Sequence, residues 1–367
     1  AAVIAIFPIA TIVGARLSGR AAWAGVPAMV YLLGSAFSAF AWGSLMDRWG
    51  RRGTLITGTL IGAAGAALAG SGIIVKSFAI FLGGSLLMGA AVAAVQLSRF
   101  VAAEVHTAAE RGRAISSVVL GGTVGAIAGP LLAGPMAALA RRFAIDELAG
   151  PYGAALTLFA IGAAVVFIWL RPEPRDLARA IAGPSPASVP AAGPARPIGE
   201  ILRQRPALAA VLAMVFGQLT MAMLMVITPL HMKDHQHPLT HISFVISAHI
   251  VGMYAFSILS GRLADRWGRG PVIATGAGIL ILASLGATLS PQLAPLTLTL
   301  FLVGLGWNFC YVGGSSLLAD QLSPVERART QGFNDLLIGL SSAAGSLGSG
   351  IVFAAIGYGA MGIVAAA

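Results

Sequence analysis

Gly43-Ser44-Leu45-Met46-Asp47-Arg48-Trp49-Gly50-Arg51-Arg52 is a charged decapeptide in a chain that is otherwise mostly hydrocarbon. It returns 218 residues later as Gly261-Arg262-Leu263-Ala264-Asp265-Arg266-Trp267-Gly268-Arg269-Gly270, with Gly, Leu, Asp, Arg, Trp, Gly and Arg unchanged. Each copy follows an apolar stretch long enough to cross a bilayer. The duplication predicts two like halves, each carrying the motif where a helix leaves the membrane.

Composition agrees. Of 367 residues, 57% are hydrophobic and 10% charged, and the mean hydropathy is +0.87. A soluble domain carries about 25% charged residues. A helix of about 20 apolar residues crosses the roughly 30 Å of hydrocarbon. On that measure twelve spans are expected, roughly at 1–14, 22–45, 54–74, 77–101, 114–138, 152–170, 207–230, 242–263, 271–290, 295–318, 330–350 and 352–367. The first and last are short, so a few terminal residues are expected to be missing. Cys310 is the single cysteine, which excludes an intrachain disulfide.

A net charge of +10 invites a nucleic-acid reading, but the cations are sorted by membrane face. Sixteen of the 23 Lys and Arg lie on the face of the two motifs and six on the other, with Arg99 unassigned. The positive-inside rule then puts both motifs, and both termini, in the cytoplasm. No nucleic-acid partner is implied.

The repeat extends beyond the motif. Glu110-Arg111-Gly112-Arg113 recurs as Glu326-Arg327-Ala328-Arg329, and at the same offset Glu104 maps to Asp320, Gly129 to Gly345 and Gly134 to Gly350. Six spans per half make the repeats parallel. The expected division is an N-terminal six-helix bundle over 1–171, a cytoplasmic linker over 172–205 and a C-terminal six-helix bundle over 206–367. The linker holds five prolines between Gly183 and Pro197, which excludes regular structure there. A short surface helix is predicted from Ile198 to Arg205.

With these features the chain resembles the major facilitator superfamily, in motifs most similar to its drug/proton antiporters. The resemblance covers essentially the whole sequence. It implies an all-α integral membrane fold of two six-helix bundles related by a parallel pseudo-two-fold. It also implies transport by alternating access rather than bond-making chemistry.

The motif has a physical reading of its own. Gly50 permits a tight turn, and Arg51 and Arg52 reach for acids at neighbouring helix ends, with Glu104 nearest by topology. Asp47 is positioned to face the positive end of span eleven near Arg329 and Thr330. Gly43, Asp47, Arg48, Gly50, Arg51, Arg52 and Glu104 are therefore expected to form a conformational gate. Asp265, Arg266, Arg269 and Asp320 are expected to form its second copy. A purely topogenic charge cluster is the competing reading.

In span five, Gly121, Gly125, Gly129 and Ala133 recur every four residues, with Pro130 and Gly134 beside them. They predict a smooth helix-packing face with a bend. The stretch Gly125–Gly134 is similar to the antiporter signature of drug exporters, with Ala133 where the pattern has Gly. Two departures weigh against a drug pump: Ser85 stands where such antiporters often carry Arg, and the first span has no acid.

Ionisable residues inside spans are functional candidates. Asp335 and His249 are the proton-coupling candidates. Gln96, Gln218, Asn308, Tyr311 and Ser315 are the expected cavity lining and suit an uncharged or amphipathic small molecule. Five of six histidines, His231, His235, His237, His241 and His249, lie within 19 residues. With Asp234, the first four make a candidate site for a divalent transition metal; a solvated polar loop is the plainer reading.

The leading expectation is thus a monomeric, proton-coupled exporter of a small organic molecule, multi-pass in a bacterial plasma membrane and in need of no cofactor. A transporter of transition metals or metal chelates, and a non-transporting sensor or scaffold, stay open. No phosphate-binding Gly-x-x-x-x-Gly-Lys-Ser/Thr loop occurs in the sequence, and no nucleophile–base–orienter set suggests an enzyme.

Overall fold

A computed structural model describes residues 2–106, 117–118, 121–122, 125, 129, 131–177 and 196–366. At some helical positions, including Gly43, Asp47, Arg327 and Arg329, it describes the backbone alone. The described elements are α-helical with two short 3-10 turns, as a bilayer demands of a chain that must satisfy its backbone within each span. Nine helices among the described residues are long and apolar enough to cross a membrane.

The helices are α1 Ala2–Ser18, α2 Val26–Ile74, α3 Phe78–Gln96, α4 Ser98–Glu104, α5 Ala133–Arg142, α6 Gly150–Trp169, α7 Ile198–Arg203, α8 Arg205–Asp234, α9 Leu239–Tyr254, α10 Ser257–Trp267, α11 Arg269–Gly286, α12 Leu293–Asp320 and α13 Pro324–Ala366. Two of them are pairs joined across a sharp turn, α2 at Gly50 (φ 80°, ψ 173°) and α13 at Gly357 (φ 77°, ψ 175°). The second copy of the motif turns at Gly268 with nearly the same geometry (φ 92°, ψ 160°). That region of backbone space is essentially open to glycine alone. The duplicated Gly of the motif is therefore a turn residue in both halves. The boundary between the last two expected spans moves from 351 to Gly357.

The chain divides into two compact units. One comprises Ala1–Arg20, Val26–Ala187 and Pro238–Ser243; the other comprises Ala21–Gly25, Ser188–His237 and Phe244–Ala367. In the first, α2 and α3 pack at backbone distance. A Cβ on Gly89 would stand 1.9 Å from Tyr31 O, and one on Gly84 2.4 Å from Ala69 N. Small residues make this contact possible where lipid removes the hydrophobic drive between helices. The second unit repeats the device, with Gly304 so close to α9 that a Cβ would lie 2.2 Å from His249 O.

The predicted surface helix is α7, and it is not wholly on the surface. Ile201 is fully buried against Ala207, Val211, Met214 and Leu322. Burying such a side chain stabilises by about 1.5–3 kcal/mol, enough to fix the end of the linker on this unit.

Candidate functional site

The first motif copy builds a clamp. Arg51 Nε and Nη2 donate to Glu104 Oε2 and Oε1 at 2.9 and 3.0 Å, a two-pronged pair with the Arg51 side chain only 15% exposed. Arg51 Nη1 donates to Met46 O at 3.0 Å, closing the turn from within. The helix that restarts after Gly50 opens with N–H groups that lack partners inside the helix. Glu173 supplies them: its Oε1 accepts from Arg51 N at 2.6 Å and both its oxygens accept from Arg52 N at 3.3 Å. A carboxylate there also meets the positive end of the helix dipole. Arg52 Nη2 donates to Phe167 O at 2.6 Å, with its guanidinium 4.9 Å from the Phe167 ring centre. Arg48 is exposed. Gly43 lies within the helical backbone of α2, and the Asp47 side chain lies outside the described atoms, so the gate contact expected of Asp47 has no geometry here.

The second copy repeats the plan with fewer bonds. Arg269 Nη1 donates to Ala264 O at 2.6 Å and to Asp265 Oδ1 at 2.7 Å, and Nε donates to Asp320 Oδ2 at 3.2 Å. Asp265 is 73% exposed and Asp320 51%. Arg266 is exposed too.

Glu326 opens α13. Its Oε2 accepts from Ser323 N at 2.9 Å, and Pro324 holds the first helical position. This Ser-x-x-Glu arrangement satisfies one of the helix's unpaired donors. Arg196, at the end of the linker, grips the same carboxylate through N, Nε and Nη2 at 3.0, 2.7 and 2.8 Å. The hydrogen bond from Arg196, then that from Ser323 N, holds the Glu326 carboxyl well below the usual carboxylate range. The first-half counterpart, Glu110, lies outside the described residues. So do most of residues 107–128 and Pro130 of the span-five motif. Of its glycines, a Cβ on Gly121 would meet nothing within 4 Å among the described residues, and one on Gly134 would lie 2.5 Å from Thr240 Cγ2.

The expected cavity residues part company. Gln218 is buried in an aromatic–amide cluster. Its Oε1 accepts from Trp307 Nε1 at 2.7 Å and its Nε2 donates to Ser342 Oγ at 3.1 Å. Tyr311 stacks on Trp307 with centroids 4.8 Å apart and planes 16° apart, and Tyr254 meets Trp307 edge-on at 6.2 Å and 72°. Asn308 is not a free lining group. Its Nδ2 donates to Met253 O at 2.6 Å and Ser257 Oγ at 2.9 Å, and its Oδ1 accepts from Ser260 Oγ at 2.7 Å. That amide repairs the break between α9 and α10. Ser315 donates to Met214 Sδ at 3.4 Å, and Gln96 is exposed at the end of α3. A groove of about 490 Å³ elsewhere in this unit, between Phe244 and Ala248 on α9 and Leu293–Phe301 on α12, contains none of these groups. Its apolar lining suits lipid rather than a polar solute.

His249 is fully buried. Its Nδ1 lies 2.8 Å from Leu300 O, and a carbonyl only accepts, so Nδ1 carries the proton. Nε2 has no hydrogen-bond partner among the described residues. Asp335 is exposed on α13.

The histidines of the metal expectation take separate partners. Among the described residues no group of three or more His, Cys, Asp or Glu is placed to hold a metal ion. Pro229 sits inside α8, and the helix runs on through His231 to Asp234. The His231 ring stacks on Tyr358 at 4.0 Å and lies 4.4 Å from His235. His235 Nδ1 donates to His231 O, and after a turn at Gln236 (φ 63°) His237 Nε2 donates to Pro291 O, each at 2.9 Å. His241 and Asp234 are exposed. Rings and carbonyls, not a shared centre, take up the imidazoles.

Glu173, Arg196, Tyr254 and Trp307 were not legible as site residues. Trp307 carries one signal in retrospect, as the large residue after Gly304-Leu305-Gly306.

A duplicated clamp at helix ends, on apolar spanning helices in two units, defines a multi-pass membrane transporter. Comparison with known proteins agrees. The Major Facilitator Superfamily description matches residues 1–233 and 210–367, and the chain belongs to that family and has its fold. It is 33% identical over 360 residues to the uncharacterized MFS-type transporter YdeG of Bacillus subtilis (strain 168), spanning 97% of this chain and 83% of that one. It is 31% identical over 329 residues to the riboflavin transporter RfnT of Brucella anthropi, spanning 89% and 79%. A local match of 39% over 89 residues, 24% of this chain and 22% of the relative, is to the multidrug resistance protein MdtL of Escherichia coli. Among solved structures, the nucleoside transporter NupG superposes with a TM-score of 0.70 over 100% of this chain and 94% of its own at 15% identity, a likeness of fold. The chain is therefore a transporter of the alternating-access fold and not an enzyme.

Proposed function

We propose that this transporter exports a small uncharged or amphipathic organic molecule in exchange for protons. It would work as a monomer in a bacterial plasma membrane, with both charge motifs on the cytoplasmic side. The observation that carries proton coupling is His249: a fully buried imidazole inside a span, with one nitrogen bound to Leu300 O and the other without a hydrogen-bond partner among the described residues. Ionisable groups are costly within a bilayer and are retained there for function. Asp335 is the second candidate. Export is favoured by the local likeness to MdtL and by the antiporter-like stretch Gly125–Gly134. An organic solute is favoured by the likeness to RfnT, which transports riboflavin. Asp47, Arg51 and Glu104 with Arg269 and Asp320 act in this reading as the two halves of a cytoplasmic gate.

Purified protein in liposomes tests the reading. A pH gradient should drive solute flux, and His249→Gln or Asp335→Asn should remove gradient-driven flux while solute-for-solute exchange persists. Full gradient-driven flux in both variants would refute coupling through these residues.

A further inference from the structure

The aromatic–amide cluster of the second unit has a shape that selects among organic solutes. Trp307 and Tyr311 are four residues apart on α12, which puts both rings on one helical face. They stack nearly parallel, and Tyr254 stands almost at right angles to them. The corner is held in place. Trp307 is only 8% exposed, and its bond to Gln218 fixes the indole about its own axis; Ser342 fixes Gln218 in turn. Tyr254 is 42% exposed and Tyr311 half-buried, so the corner is not closed over. Tyr254 is also the last residue of α9, at the break in the segment Leu239–Trp267. Irregular backbone at membrane depth is tolerated where it is buried in protein or lines a cavity, and broken helices recur at transporter binding sites.

We propose that Tyr254, Trp307 and Tyr311 form a wall that binds a flat aromatic or heteroaromatic ring, uncharged or cationic. The proposal rests on the organic-solute reading above and names its substrate class. A flat ring fits such a corner by lying against one face and presenting its edge to another, the two arrangements aromatic pairs prefer. Ring faces carry negative charge density and attract cations. No Lys or Arg occurs between Asp234 and Gly261 or between Gly270 and Glu326, so α9, most of α11 and α12 carry no permanent positive charge to compensate an anion. A sugar or other polyol is disfavoured for a different reason. It is recognised through many hydrogen bonds, and here both ends of the Gln218 amide and both ends of the Asn308 amide are already engaged within the fold.

The test is calorimetric binding to the full chain in lipid nanodiscs, with no gradient. Three probes are used: lumichrome (flat, neutral), proflavine (flat, cationic) and xylitol (a polyol). Both flat probes should bind and xylitol should not. Tyr311→Leu and Tyr254→Leu should each weaken the flat probes about tenfold, whereas Tyr311→Phe should retain binding. Both tyrosines are partly exposed, so these variants keep the buried core if Trp307→Ala fails to fold. Absence of binding by either flat probe, tenfold insensitivity to both Leu variants, or xylitol binding that depends on the same rings would each overturn the proposal. Gradient-driven flux of a non-aromatic solute without flat-probe binding would sink this inference and leave proton-coupled export standing. Ring-dependent binding without any pH-driven flux would do the reverse.

Discussion

Arg51 and Arg269 hold equivalent places in the two motif copies, and each turns a guanidinium nitrogen onto the carbonyl five residues before it, Met46 O and Ala264 O. Beyond that the copies differ. Arg51 meets Glu104 with two parallel bonds, and Glu173 arrives from after α6 to cap the restarted helix. Arg269 meets Asp320 with one longer bond, shares Nη1 between Ala264 and Asp265, and has no side-chain cap on its helix among the described residues. One sequence motif thus gives a three-segment clamp in the first unit and a looser two-segment clamp in the second. The difference comes from residues outside the motif. Duplicated sequence carries the turn; the surrounding chain sets its strength.

The strongest way to break this comparison is to remove both arginines in turn. Arg51→Ala should slow transport more than about tenfold, because charged hydrogen bonds of a partly buried pair are worth about 1.5–3 kcal/mol. Arg269→Ala should cost about two- to threefold, as exposed ion pairs do. Solute flux in liposomes, normalised to folded protein, decides; equal losses would mean that the extra bonds of the first clamp carry no weight.

The turn glycines sharpen the point. Gly50→Ala and Gly268→Ala should both lower thermal stability, since both hold backbone angles that cost other residues about 1–3 kcal/mol. Gly50→Ala should be worse, because its Cβ would stand 2.8 Å from Glu173 Oε1, whereas one on Gly268 would have its nearest neighbour at 3.8 Å. In a Glu173→Ala background the gap between the two should close.

A third contrast uses pH. Glu326 has its carboxyl held below the ordinary range in the folded state, so its stabilising contribution is complete above the unfolded value of about 4.3 and is lost as pH falls through the folded value. Glu326→Gln should therefore lower the melting temperature at pH 7, and wild type and variant should converge as the pH drops below about 4. A constant difference across that range would show that the carboxylate charge is irrelevant there. The smallest effect belongs to Asp265→Asn. Arg269 keeps Ala264 O and Asp320, so flux should change by less than about twofold.

The pattern of what was legible follows from range. The Arg51–Glu104 pair could be anticipated because both residues sit at the ends of adjacent spans on one face, where topology alone brings acids and bases together. Glu173 could not, since a carboxylate in Arg171-Pro172-Glu173-Pro174 reads as one more loop charge until the chain folds it onto a helix end 122 residues away. Asn308 lies in a span, as its sequence setting implies, but sequence does not reveal that its hydrogen bonds are spent on a neighbouring helix. The histidines show the same limit in reverse: they are close along the chain, yet their rings meet Tyr358, His231 O and Pro291 O at separate points, which spacing alone does not reveal.

The break between α9 and α10 has a consequence for how this membrane protein is made. Membrane segments enter the bilayer in the order of synthesis, so Leu239–Trp267 arrives before Leu293–Asp320 exists. Until then Met253 O, Ser257 Oγ and Ser260 Oγ lack the single amide that later serves all three. In the meantime Ser257 Oγ and Ser260 Oγ can turn to carbonyls of their own segment, Tyr254 O and Ser257 O, so it is Met253 O, at the break, that gains most when Asn308 closes the stitch. A nascent chain halted between these segments is where quality control has its clearest opening.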